Sequence, residues 1–167
     1  DQETAAVMTP GQEGYYVLLH ELAHALGLQH PLTESNTSGA TVLLNSFSSV
    51  NNTVMLDVSA ASVGGSWPTW FGSFDLQALR YLYGTRAYAS GNNTYTVKDN
   101  TASMTIIDDG GMDTLDASNV SVSVSIDLRS GKSSSIGMDT DGTSKFNNLA
   151  IAAGSLIENV MGSPYDD

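Results

Sequence analysis

The chain has 167 residues, of which 41% are hydrophobic, 14% are charged and none is cysteine. This composition is typical of a globular protein. The absence of cysteine excludes disulfide bonds and thiolate metal sites. The sequence also lacks the run of about 18 apolar residues that a transmembrane helix needs. Six basic against 18 acidic residues give a net charge of -12. Nucleic acid and membranes are therefore not expected as partners, because both would require clustered positive charge, whereas acidic side chains can bind cations.

The first half of the sequence predicts a helix, a long polar loop and a second helix. Pro10 is typical of a first helical position, and the breaker-free run that follows ends before Gly27, which suits the left-handed residue beyond a helix. Residues 31–67 are rich in Ser, Thr, Asn and Gly, which predicts a loop. The second helix is predicted at 73–83, where Gly84 follows the last apolar residues.

After Gly84 the sequence changes to short β-prone runs separated by Gly, Asn and Asp, which predicts an all-β segment. The clearest pattern covers 120–128, where Val, Ile and Leu alternate with polar residues, as in a strand with one wet face. Further strands are predicted at 94–98, 104–107, 149–152 and 156–160. We therefore expect an α+β fold in two parts, with residues 1–84 rich in helix and residues 85–167 all-β.

All three histidines fall within one stretch, whose residues are His20-Glu21-Leu22-Ala23-His24-Ala25-Leu26-Gly27-Leu28-Gln29-His30. On a helix, residues four apart share a face, so His20 and His24 can bind one ion. A turn at Gly27 would then return His30 as a third ligand. Three neutral imidazoles and a water make the open site of a catalytic zinc ion, beside which Glu21 can activate the water. A lone helical histidine is usually a surface or core residue, but the shared spacing of these three disfavours that interpretation.

The pattern H-E-x-x-H-x-x-G-x-x-H resembles the metzincin signature of zinc metalloproteases, and Pro31 after the last histidine is similar to the serralysin branch. The similarity to serralysins continues in four further stretches, at residues 14–19, 75–84, 108–116 and 151–159. The resemblance implies a metzincin-like zinc-helix subdomain at 1–84, the C-terminal part of a catalytic domain. It also implies an all-β calcium-binding sandwich or roll segment at 85–167, the start of a β-roll.

The resemblance also implies an activity, that of a zinc-dependent endopeptidase with zinc on the three histidines and Glu21 as general base. Met55 matches the methionine of the tight turn beneath the metal in that family. Two residues further on, serralysins usually carry a tyrosine, whereas this chain has Asp57, whose role stays open. The resemblance further implies a secreted, extracellular protein that acts on protein or peptide substrates.

The turn from Asp108 to Asp113 could bind calcium, which prefers six to eight oxygens from carboxylates and carbonyls. An ordinary Asp/Gly hairpin has a similar sequence and is the alternative. The family resemblance implies two calcium ions. The first would be bound by Ser90, Asn92, Thr94, Asp108, Gly110 and Asp113. The second would be bound by Gly111, Asp113, the carbonyl of Leu156 and the carboxylate of Glu158.

A second hypothesis about function stays open, that of a non-catalytic calcium-stabilised module or fragment that retains the zinc helix. Serralysins carry a large subdomain before the zinc helix, whereas nineteen residues precede His20 here. We therefore expect a missing N-terminal subdomain or a partner chain to complete the substrate cleft. The intact Glu21 favours the endopeptidase, and Asp57 favours the module.

Overall fold

The structure, a computed structural model, describes residues 8–31, 49–57, 67–138 and 141–165. Within these ranges the chain forms an α+β fold of two helices and six short strands. The helices are α1, Glu13–Ala25, and α2, Ser73–Tyr83. The strands are β1, Thr94–Lys98; β2, Met104–Ile106; β3, Thr114–Asn119; β4, Ser133–Ser134; β5, Leu149–Ile151; and β6, Asn159–Met161. No helix of the described ranges is long and apolar enough to cross a membrane.

The first helix begins later than the sequence predicts. Its first residue is Glu13 rather than Pro10, because the preceding residues form a turn in which the amide of Gln12 donates to the carbonyl of Thr9 at 3.0 Å. The second helix has the predicted bounds. Most of the loop predicted at 31–67 lies outside the described residues.

The core of the helical half forms where α1, α2 and the segment 49–57 meet. The buried side chains of α1 are Tyr16, Leu19 and Ala23, whose spacing places them on one helical face. They pack in one cluster with Val54, Met55, Trp67, Phe71 and Leu76. The segment that carries Met55 is therefore fixed against both helices.

Two three-stranded sheets make up the β-rich half, in the orders β1-β3-β6 and β2-β5-β4. The first sheet is parallel throughout; in the second, β2 and β5 are parallel and β4 pairs antiparallel with β5. Thr94 pairs with Thr114, which pairs with Asn159. A second buried cluster draws side chains from both sheets, among them Val97 and Ile151.

The prediction of a strand at 120–128 is wrong. Val120 and Val124 are buried, as the alternating pattern requires. The segment nevertheless contributes one isolated bridge, from Ser125 to Ser135, rather than a strand of either sheet. The alternation of valine with serine therefore reports which side chains are buried, and it does not report which backbone groups are paired.

The other strand predictions differ in outcome. The strand at 94–98 is confirmed, and those predicted at 104–107 and 149–152 are each one residue shorter in the structure. The last strand is Asn159–Met161 rather than 156–160. The strand β3 was not predicted, because an aspartate and two turn-forming polar residues interrupt its apolar pattern.

The last turns of α2 contact the β-rich half. Arg80 donates from Nη2 to both carboxylate oxygens of Asp109, at 2.9 and 3.2 Å, and from Nη1 to the carbonyl of Ala153 at 3.2 Å. Ala152 next to it is buried in the core of the helical half. Side chains thus connect the two halves, and the domain boundary at residue 84 stays a prediction.

Candidate metal centre

Three imidazoles converge beside α1. The Nε2 atom of His30 lies 3.0 Å from Nε2 of His20 and 3.1 Å from Nε2 of His24. Within the described part of the chain, these three form the one group of three or more histidine or acidic side chains whose ligand atoms all lie within 4.8 Å of one another. The structure therefore brings together the three residues that the sequence analysis proposed as zinc ligands.

The ring nitrogens that face away from this centre are fixed by backbone carbonyls. Nδ1 of His20 lies 2.7 Å from the carbonyl oxygen of Val54, and Nδ1 of His24 lies 3.0 Å from that of Leu28. A carbonyl can only accept, so each Nδ1 carries the proton and donates it. This is the tautomer of metal-binding histidines, in which Nδ1 donates to an outer partner and Nε2 is left to bind the metal.

This donor set fits a zinc ion. Two nitrogen ligands of one tetrahedral zinc ion lie about 3.3 Å apart, given zinc–nitrogen bonds of about 2.0–2.1 Å. The observed separations of 3.0 and 3.1 Å are close to that value. A shared cation would accommodate three nitrogen lone pairs that would otherwise repel one another at such distances.

The turn after α1 places His30 by a Schellman motif. Gly27 has a φ of 91°, which a residue with a Cβ adopts only with strain. The amide of Leu28 donates to the carbonyl of Ala23 at 3.0 Å, and that of Gly27 donates to the carbonyl of His24 at 2.9 Å, which is the bonding pattern of this motif. Leu28 also supplies the carbonyl that orients His24, so one turn positions two of the three imidazoles.

Glu21, the residue after His20 on α1, is exposed. Successive helical residues are about 100° apart around the axis, so Glu21 follows His20 on the side away from the core. The described residues thus provide three converging imidazoles and an exposed acid directly after the first of them in the chain.

Met55 lies in the core and does not join the imidazole group. Its side chain is 2% exposed and packs in the cluster beneath α1. The residues on either side of it hold α1 in place, because Val54 accepts from His20 and the carbonyl of Leu56 accepts from the Tyr16 hydroxyl at 2.5 Å. Asp57 is exposed and lies outside the group of converging ligands.

Asp75 is a buried carboxylate in the first turn of α2, and it was not among the predicted site residues. It is 2% exposed, and three groups donate to it. They are the hydroxyl of Thr53 at 2.5 Å, the amide of Val54 at 2.7 Å and the amide of Gly72 at 2.9 Å. Burial raises the pKa of Asp75 above its usual value, although these hydrogen bonds lower it. The sequence signal was an aspartate at the third helical position, which often accepts from the capping residue.

In the β-rich half, Asp108 is fully buried within the turn predicted to bind calcium. Its carboxylate accepts from the amide of Gly110 at 3.0 Å and from the hydroxyl of Tyr95 at 2.6 Å. Its own amide donates to the hydroxyl of Ser155 at 2.9 Å. Burial, and next the hydrogen bond to Asp108, raise the pKa of Tyr95. The sequence analysis did not identify Tyr95 or Ser155, because both come from distant segments.

Asp113 has a buried carboxylate oxygen that a cation in the β-rich half could pair with. It is fully buried, its Oδ1 accepts from the amide of Asn93 at 2.7 Å, and its Oδ2 has no hydrogen-bond partner among the described residues. Its amide donates to Glu158 at 2.8 Å, so two acids predicted to share an ion are adjacent. An unpaired carboxylate oxygen is costly to bury, and a bound cation would remove that cost.

The other predicted calcium ligands occupy three segments around these aspartates. Asn92 accepts from the amide of Met112 at 3.0 Å, and Thr94 begins β1. Gly110 and Gly111 have φ values of 146° and 139°, and a Cβ on Gly111 would collide with the carbonyl of Gly91. Ser90 is exposed in the segment before β1, and Leu156 is an exposed residue two positions before Glu158. The acidic side chains do not converge on their own within the described residues, so a calcium site here would need backbone carbonyls.

Comparison with known proteins places the chain in a family. The family model described as Peptidase M10 serralysin C terminal matches residues 75–167, more than half of the chain. This protein belongs to that family. The matched range begins at Asp75 and does not include the imidazole centre.

Individual relatives match between 92% and 100% of the chain. Serralysin of Proteus mirabilis is 30% identical over 190 aligned positions, which cover 100% of this chain and 38% of that protein. Serralysin C of Dickeya chrysanthemi is 28% identical over 96% of this chain, and serralysin of Photorhabdus luminescens is 28% identical over 92% of it. The chain spans little more than a third of the length of these curated relatives.

Proposed function

We propose that this chain supplies the zinc site and the general base of a serralysin-type endopeptidase. One observation carries the proposal: backbone carbonyls hold two imidazoles as Nδ1 donors, so that their Nε2 atoms face that of His30 at 3.0 and 3.1 Å. Such a preset nitrogen set is typical of a catalytic rather than a structural zinc, since three protein ligands leave a position open. The match to relatives named serralysins supports the same function.

In peptide hydrolysis the residues of the site would have two roles, metal binding and proton transfer. His20, His24 and His30 would hold zinc, and a bound zinc ion supplies Lewis acidity to the attacking water and the scissile carbonyl. Glu21 would take the proton of the water as the water attacks and would pass it to the leaving amine. The exposure of Glu21 suits this role, because a peptide can reach it from solvent.

Calcium and protein contacts belong to the same proposal. Asp108, Asp113 and Glu158 would bind calcium together with carbonyls of the predicted ligand set, and the unpartnered oxygen of Asp113 supports this assignment. Exposed apolar side chains on α1, such as Val17 and Leu18, both 49% exposed, favour a protein contact beside the centre. We further propose a secreted, extracellular protein that acts on protein or peptide substrates.

Cleavage assays test the proposed activity. Zinc-loaded protein should cleave casein or a quenched fluorescent peptide, and a zinc chelator should stop it. Glu21→Gln should lower kcat by about 10²–10⁴-fold, the usual contribution of a general base, while zinc content stays at one ion per chain. Equal cleavage by the Glu21→Gln variant would contradict the mechanism.

A non-catalytic calcium-stabilised module is the second candidate. It is favoured by the unpartnered Asp113 oxygen and by the family match to residues 75–167, which excludes the imidazole centre. In that case the protein would bind zinc and calcium and would melt at a higher temperature with calcium. It would show no chelator-sensitive cleavage of any peptide in a diverse library.

A further inference from the structure

A chain of hydrogen bonds leads from the buried carboxylate of Asp75 to the imidazole of His20. The hydroxyl of Thr53 donates to Oδ1 of Asp75 at 2.5 Å, and the same hydroxyl oxygen accepts from the amide of Met55 at 3.0 Å. That amide belongs to the peptide group whose carbonyl is the carbonyl of Val54. This carbonyl accepts from Nδ1 of His20 at 2.7 Å.

Every bond of this chain points in one direction. A carboxylate that accepts the Thr53 proton makes the hydroxyl oxygen a stronger acceptor, and that oxygen polarises the peptide between Val54 and Met55. The carbonyl of this peptide becomes more negative and holds the Nδ1 proton of His20 more strongly. Aligned hydrogen bonds reinforce one another in this way when they are shielded from water. Here Thr53 is 4% exposed and Asp75 is 2% exposed.

Asp75 also fixes the segment around Val54 through its other carboxylate oxygen. Its Oδ2 accepts from the amide of Val54 at 2.7 Å and from the amide of Gly72 at 2.9 Å. The carbonyl of Asn52 accepts from the amide of Phe74 at 3.0 Å, which adds a bond between the same turn and α2. The Val54 carbonyl therefore has little freedom to move away from His20.

We infer that Thr53 and Asp75 are positioning residues of the metal centre, which fix the tautomer of His20 and strengthen it as a ligand. This inference rests on the proposed zinc site. Groups that donate to or accept from the outer nitrogen of a ligating histidine usually change metal affinity by about 10–100-fold when they are lost. In this protein the outer partner of His20 is the carbonyl of Val54. The negative charge that polarises this carbonyl is that of Asp75, which lies on α2, whereas His20 lies on α1.

Two substitutions of Thr53 form a matched pair. Thr53→Val keeps the shape of the side chain and removes the hydroxyl, which breaks the chain. Thr53→Ser keeps the hydroxyl and removes a buried methyl group. We expect the zinc dissociation constant, measured by competition with a chromophoric chelator, to rise about ten-fold or more for Thr53→Val and to stay close to the parent value for Thr53→Ser.

Asp75→Asn tests whether the negative charge of Asp75 is the source of this polarisation, with the partly exposed Asp127→Asn as its control. The oxygen of an asparagine can accept from both amides that donate to Oδ2 of Asp75, but its NH2 group would then face the Thr53 hydroxyl, so it cannot accept from all three donors. The dissociation constant should rise for Asp75→Asn and not for Asp127→Asn. In the cobalt-loaded proteins, the visible absorption band should shift in Thr53→Val and Asp75→Asn alone, because a weaker imidazole donor changes the field at the metal.

The outcomes separate this inference from the proposed function. If the parent protein binds no zinc, the proposed function fails and this inference fails with it. If the parent binds zinc and Thr53→Val binds it as tightly as Thr53→Ser, only this inference fails. If Asp75→Asn does not fold, the Thr53 pair decides the matter. The melting temperatures of the metal-free variants, measured in parallel, separate loss of stability from loss of affinity.

Discussion

The imidazole centre and the aspartate turns of the β-rich half differ in how far apart along the chain their groups lie. The three imidazoles come from eleven consecutive residues, and one helix with its Schellman turn brings them together. The groups around Asp113 come from residues 90–94, 108–113 and 156–158, which meet only when parallel strands pair. Ligands that lie in one helix and the turn after it can be brought together by local geometry, although His20 is also oriented by the Val54 carbonyl, whereas a site built between strands depends on the complete fold. We therefore expect a cation to have a different role in each region. In the imidazole centre it would serve as a cofactor, and in the β-rich half it would stabilise the fold.

The largest expected effect is the loss of zinc binding in His24→Ala. The substitution removes one of three nitrogens, so the zinc dissociation constant should rise beyond the roughly 100-fold that loss of an outer partner causes. Chelator competition measures this change. The increase in melting temperature caused by calcium should be the same as in the parent protein. A smaller calcium effect in His24→Ala would show that the two regions are not independent.

The next effect is the stabilisation of the fold by calcium. A ligand at 100 times its dissociation constant stabilises the folded state by about 2.7 kcal/mol when it does not bind the unfolded chain. Thermal melts with calcium and with EGTA should therefore differ in the parent protein. Asp113→Asn should abolish that difference and leave zinc affinity unchanged, since Asp113 lies apart from the imidazoles. Equal calcium stabilisation of the parent and of Asp113→Asn would contradict the site.

Two glycines allow a matched test of the turn that carries His30, with an expected loss of stability smaller than the calcium effect. Gly27 has a φ of 91° and Gly131 a φ of 73°, and a Cβ would meet nothing within 4 Å at either position. Alanine in the left-handed region costs about 1–2 kcal/mol, so both substitutions should lower the free energy of unfolding by similar amounts. Only Gly27→Ala should also weaken zinc binding, because its turn carries His30. Equal zinc affinity in the two variants would mean that the turn does not position this ligand.

Local features were the ones that the sequence predicted. The bounds of α2, the strand β1 and the grouping of the three histidines all follow from patterns within about a dozen residues. The roles proposed for those histidines and for Glu21 stay predictions until metal and activity are measured.

Non-local features were missed, and the reason is the same in each case. Asp75 matters because Thr53 and Val54, from another segment, donate to it, and no sequence spacing links them. The parallel strand β3 has an interrupted apolar pattern, and its partners lie about twenty and forty-five residues away, so no hairpin turn marked it either. The wrong strand at 120–128 shows the converse error, where local alternation was taken as evidence of pairing.

The smallest expected effect concerns pH and lies on the surface of the β-rich half, away from both candidate sites. Hydrogen bonds from the side chain and amide of Arg129 lower the pKa of Asp127 to about 2, from 3.8. Because the folded state lowers this pKa, the ionised group stabilises the fold above pH 3.8, and that contribution is lost as the pH falls toward 2. Asp127→Asn should therefore melt slightly below the parent at pH 6, and the difference should vanish near pH 2. A difference that grows on acidification would show that the Arg129 contact does not persist in solution.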